Sequence, residues 1–269
     1  MGLMDWERDD FEHTARYRLC RAGFALSAMG LALMSLDTAF YLVWMVTMSP
    51  EVGQILSSPL WKWGVGSSVT WSTLLGPYLL WGRWKEPHWQ QRAGLLVVLN
   101  LADVGLWLVR HGREFGLWPH EVAHFWLRMN VTYASSWIQF GLWAGLAADV
   151  SAHLGGKANL HSKIKGQSLA MVGFMLWLLF FLDQTAWQRG WPLTPHRTPL
   201  TPLLWIGSMM LRTVTAFQVA ALCLLASREC TQILKELGSD HHALEALRSR
   251  SEPSHGGDPW EAPRSDPRA

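Results

Sequence analysis

Six apolar stretches, each about as long as a bilayer is thick, recur along this chain at residues 23–48, 64–82, 93–110, 126–150, 168–187 and 202–227, with short polar loops between them. Blocks of this length predict transmembrane helices, because a hydrocarbon interior leaves every backbone N–H and C=O to be satisfied within its own segment. The expected fold class is therefore all-α, a polytopic integral membrane protein with about six transmembrane helices. Many of the 18 tryptophans sit near the ends of these stretches, where the amphipathic indole favours the membrane–water interface.

Six crossings put both termini on one side. Arg8, Arg16, Arg18, Arg21, Arg83, Lys85, Arg92, Lys157, Lys163, Lys165, Arg228 and Lys235 fall on that side, against Lys62, Arg110, Arg113, Arg128, Arg189 and Arg197 on the other. The positive-inside rule then makes the termini cytoplasmic, in a bacterial-type inner (cytoplasmic) membrane. The first 22 residues carry Asp5, Glu7, Asp9, Asp10 and Glu12, unlike the cationic start of a secretory signal, so no cleaved leader is expected. The organisation is a cytoplasmic segment over 1–22, a transmembrane domain over 23–227, a cytoplasmic amphipathic helix over 228–250 and a tail over 251–269. That tail is too rich in Pro, Gly, Ser and charge to build a core. Cys20, Cys223 and Cys230 are an odd number without motif spacing, which argues against a disulfide framework or zinc ribbon. The expected surroundings are the lipid bilayer and other membrane subunits in a hetero-oligomer; nothing points to nucleic acid.

Chemistry concentrates in the loop between the third and fourth stretches, HGREFGLWPHEVAH over 111–124. His111, His120, Glu121 and His124 are metal-ligand types. A helix ending near His111, a turn through Gly112 and Gly116, and Pro119 opening the next helix would let these side chains converge. His120 and His124 then share a helical face. The alternative is an interfacial helix with solvated imidazoles. His120-Glu121-Val122-Ala123-His124 also matches H-E-x-x-H, in which two histidines hold zinc and the glutamate serves as general base. A membrane protease needs a further ligand from a later span, and only Phe-Leu-Asp-Gln around Asp183 stands there. Asp37, Asp103, Asp149, Asp183 and Arg212 lie within or at the ends of the spans, where a charge costs about 2.5–3.5 kcal/mol at mid-membrane on insertion scales. Each needs a partner, water or a metal. Asp183, His196 and Arg212 form a possible second polar cluster, although an Asp with an Arg in adjacent helices, as Asp183 with Arg212, is more often a satisfied packing pair than a site. Asp149, near the inner end of its span, is expected only to touch interfacial water.

Span lengths and histidine spacing together resemble one membrane subunit of the copper membrane monooxygenases, the particulate methane and ammonia monooxygenase family. That subunit has six comparable spans and an Asp-x3-His-x12-His pattern whose last histidine opens the fourth span. His111-x12-His124 reproduces that histidine spacing, HFWLRMNVTYASSW from His124 is similar to the aromatic entry into that span, and TLLGPYLLWGRWKEPHW over 73–89 to the end of the second. The chain departs from the pattern at Trp107, where the aspartate should stand with Asp103 one turn earlier, and at Asp183 and Trp187, where an Asn-x3-His element should end the fifth span. The resemblance implies a copper-dependent oxidoreductase subunit acting on a small substrate such as an alkane or ammonia, with oxygen as oxidant. His111 and His124 would hold copper, and His120 or Glu121 would complete the shell. Imidazole suits copper, and Cu(II) outranks most divalent rivals at such ligands. The other readings are the H-E-x-x-H zinc protease and a non-catalytic membrane subunit whose Trp-rich faces pack against partners.

Overall fold

The computed structural model describes residues 3–82, 86–111, 125–155, 160–188 and 200–251. Every regular element in them is helical. α1 spans Leu3–Thr47, α2 Pro50–Ser57, α3 Gly66–Leu80, α4 Pro87–His111, α5 Phe125–His153, α6 Leu160–Gln188 and α7 Leu200–Ser251, and a π-helical turn over Leu60–Val65 leads into α3. The sequence supplies the stops and starts. The Ser49 side chain accepts from the Val52 N–H with Pro50 directly behind it, and Pro87 opens α4 where its missing N–H costs nothing. Gly82 and Gly155, both at φ 74°, follow the ends of α3 and α5 in the left-handed conformation that only glycine adopts without strain.

Side-chain pairs fix an up-and-down arrangement. Gly23 meets Gly76 and Gly30 meets Ser72 between α1 and α3. Ser35 and Ser227 hydrogen-bond to the Thr213 and Arg21 carbonyls, setting α1 antiparallel to α7. Asp103 with Gln139 sets α4 against α5, and Gly145 with Gln167 sets α5 against α6. α5 and α7 run parallel, with Tyr133 beside Met209 and Ser151 bonded to Glu229. Packing closes a ring in the order α1, α3, α4, α5, α6, α7, with α5 also touching α7; the most extensive interface is α1 on α7. One end of the bundle, the termini end, carries the α3–α4 and α5–α6 connections; the α4–α5 and α6–α7 connections lie at the far end.

The core is aromatic and tightly filled. Trp137, Phe140 and Trp143 of α5 are buried with Phe24 of α1, and Phe24 meets Trp143 edge-on at 6.3 Å between ring centroids. Outward faces are apolar as well: Met29 and Val43 on α1, Val98 and Leu101 on α4, Met171 and Leu179 on α6, and Val214 and Phe217 on α7 are all exposed.

Three helical segments among the described residues are long and apolar enough to cross a membrane: Thr14–Thr47, Ser162–Thr185 and Pro202–Gly238. Helices also form over the other three expected spans. α3 has only 15 residues, and α4 and α5 bury Asn100, Ser135, Ser136 and Gln139 within their apolar runs. The stretch expected as an amphipathic helix over 228–250 continues α7 without a break, and no proline interrupts it. The expected tail, apart from its first residue Ser251, lies outside the described residues.

Candidate functional site

α4 ends on His111 and α5 begins on Phe125, so the histidine loop joins two antiparallel neighbours at the far end. His120, Glu121 and His124 lie outside the described residues, as does the His111 side chain. Asp103 faces Ser135 and Gln139, and this register puts His111 level with the first turn of α5. The loop therefore starts and finishes within about one to two helical turns of the same height. Among the described residues no group of three or more His, Cys, Asp or Glu is placed to hold a metal ion.

Beneath that loop, α1, α4, α5 and α7 enclose a polar layer. One Asp103 carboxylate oxygen accepts from Gln139 Nε2 at 2.6 Å and from Ser135 Oγ at 3.2 Å. Its other oxygen is buried without a hydrogen-bond partner. The Gln139 amide also donates to Ser135 Oγ at 2.9 Å, so α5 presents Ser135 and Gln139 as one unit across a helical turn. The Arg212 guanidinium lies 4.5 Å over the Tyr133 ring, donates to Met34 Sδ at 3.4 Å, and attracts Asp103 electrostatically. Its Nε is buried without a partner. Tyr133 donates in turn to Met209 Sδ at 3.4 Å. This layer holds a carboxylate and a guanidinium together inside the bundle.

In this layer Arg212 attracts Asp103, a carboxylate with which the sequence had not paired it. The register of α6 on α7, in which Gly166 approaches Leu222, puts Asp183 level with Trp205, about two turns from Arg212. His196, the third member of that expected cluster, lies outside the described residues. Asp103 stands about 12 Å below His111 along α4 and is committed to α5. Asp37 accepts from the Trp61 indole N–H at 2.7 Å, where the π-helical turn brings Trp61 onto α1.

Asp149 does more than touch interfacial water. Lys163 Nζ reaches its Oδ1 at 2.6 Å and Arg92 contacts its Oδ2, so one carboxylate from α5 ties α4 to α6 at the termini end. Sequence reasoning also missed Gln139, Ser135 and Tyr133, although Ser135 and Gln139 at i, i+4 inside an apolar stretch are a readable signal of a polar helix face. Cys20, Cys223 and Cys230 are buried thiols. No family model, curated protein or solved structure matches the chain.

Proposed function

We propose that this chain is a six-span integral membrane protein of the bacterial-type inner membrane with cytoplasmic termini, and that it serves as the copper-binding subunit of a membrane oxidoreductase complex acting on a small substrate. The membrane part rests on three sufficiently long apolar helices and on apolar side chains exposed around the bundle, more than a water-soluble monomer ordinarily displays. The observation that carries the metal part is the α4–α5 hairpin. It holds the two ends of a 111–124 loop with three histidines and Glu121 close together at one end of the bundle. Imidazole and carboxylate donors fit copper, and His111 and His124 would hold it with His120 or Glu121 completing the shell. Bound copper would supply one-electron chemistry with oxygen. The protein's own part is to fix the loop ends and to keep them above the Asp103–Arg212 polar layer.

Metal analysis of protein purified in detergent without chelators tests this. Copper should be present; His111→Ala or His124→Ala should remove most of it, and His153→Ala at the opposite end should not. Protein with neither copper nor zinc, or full copper occupancy in both variants, would leave a structural subunit in place of a metal protein. Zinc lost with His120→Ala, together with peptidase activity lost with Glu121→Ala, would replace the copper reading by the H-E-x-x-H one.

A further inference from the structure

At the termini end, three helices each bring two polar residues spaced i, i+4 to one place: His88 and Arg92 on α4, Asp149 and His153 on α5, Lys163 and Gln167 on α6. Arg92 and Lys163 both bind Asp149, and Trp89 packs edge-on between His88 at 5.4 Å and His153 at 5.1 Å. Gly145 makes the convergence possible. A Cβ there would lie 3.1 Å from Gln167 Nε2 and 3.2 Å from Arg92 Nη1, so the missing side chain is the space these donors occupy.

The cluster is unbalanced. A guanidinium and an ammonium carry eight N–H donors between them, and among the described residues they share one carboxylate, so two positive charges face one negative charge. Both cations remain partly open, with 30% of the Arg92 and 23% of the Lys163 side chain exposed. Along α5, Ile138, Gly141, Gly145 and Asp149 follow at helical spacing, and Ile138 is exposed. Beyond Gly145, which Arg92 and Gln167 cover, Gly141 and the exposed Ile138 continue this face of α5 toward the far end, between its neighbours α4 and α6.

We propose that this cluster binds an anionic phospholipid, its phosphate on Arg92 and Lys163 and an acyl chain along Gly141 and Ile138. The inference rests on the membrane reading and is independent of the metal. Charge selects the occupant: two cations against one carboxylate accept a further anion, and a basic pocket between helices at the cytoplasmic interface is where a lipid phosphate is available.

Insertion of the full chain into phosphatidylcholine vesicles is measured first by flotation, because a chain that stays aqueous overturns the membrane reading and this one with it. For inserted protein extracted into detergent, native mass spectrometry follows titration with phosphatidylglycerol and, separately, phosphatidylcholine. Phosphatidylglycerol should bind more tightly, and Arg92→Gln and Lys163→Gln should weaken it about fivefold for each cation removed. Lys165→Gln, an exposed lysine beside the cluster, should leave it unchanged. If the double variant fails to fold, Gln167→Glu keeps Asp149 with both partners, adds a negative charge at Gly145, and should abolish the preference. Equal binding of the two lipids, an equal loss in Lys165→Gln, or an undiminished preference in Gln167→Glu overturns the lipid site. Displacement of the lipid by millimolar inorganic phosphate would assign the cations to free phosphate instead.

Discussion

Asp103 and Arg212 bring opposite charges into one layer of the bundle. An unpaired charge in an apolar interior is expensive, and the two offset one another while Gln139, Ser135 and the Tyr133 ring satisfy part of what remains. Asp103→Ala should therefore lower stability by about 2–3 kcal/mol, below the cost of breaking a fully buried pair because both side chains are only partly buried. Asp103→Asn keeps an acceptor for Gln139 and should cost less. Arg212→Gln on top of Asp103→Ala should cost less than the sum of the single changes, since it removes the stranded cation. Thermal unfolding in detergent reads the wild type, the three single variants and the double variant, and strict additivity would mean that the two charges do not interact. The sequence marked Asp37, Asp103, Asp149, Asp183 and Arg212 as groups needing partners, but it could not choose the partners. That choice depends on helix rotation and register: Asp103 meets a glutamine 36 residues away, and Asp149 meets cations on two helices that flank its own.

Helices were more legible than their limits. Each apolar run became a helix because its length and its lack of breakers dictate one, yet α1 extends back to Leu3 and α7 on to Ser251, since flanking charge alone does not stop a helix. The short α2 had a readable start in Ser49-Pro50-Glu51, a capping serine followed by proline and an acid. How closely helices approach was not legible, because it depends on which small residue faces which large one. Gly173 of α6 takes the Trp137 ring of α5 so closely that an added Cβ would collide with it. The ring is buried and has no room to withdraw. Gly173→Ala should thus destabilise by about 1–3 kcal/mol through overpacking. Gly207→Ala in α7, where a Cβ meets nothing within 4 Å, should instead stabilise by about 0.5–1 kcal/mol through helix propensity. Unfolding midpoints in one detergent compare the two, and a similar loss in both would mean that Gly173 is not a close-packing site.

For the whole molecule, the up-and-down ring and the distribution of positive charge make one joint prediction. Antiparallel neighbours put the α3–α4 and α5–α6 connections at the same end as both termini, and the sequence at and beside them carries Arg83, Lys85, Arg92, Lys157, Lys163 and Lys165. If the bundle spans a membrane, this end is cytoplasmic and the 111–124 loop faces outward. α3, α4 and α5 then cross despite their polar residues, because those residues turn toward neighbouring helices: Asn100 donates to the Leu96 carbonyl, and Ser135 and Gln139 engage Asp103. Single cysteines at Gly116 and Gly156, in a background with Cys20, Cys223 and Cys230 replaced by alanine, test the arrangement with a membrane-impermeant maleimide on intact cells. Residue 116 should label directly, and residue 156 only after the membrane is opened. Labelling of 156 from outside while 116 stays protected would invert the topology and move the histidine loop to the cytoplasm. Equal access to both in intact cells would put the two positions on the same side, so that α5, the one helix between them, does not span, and the six-span reading would fall with it.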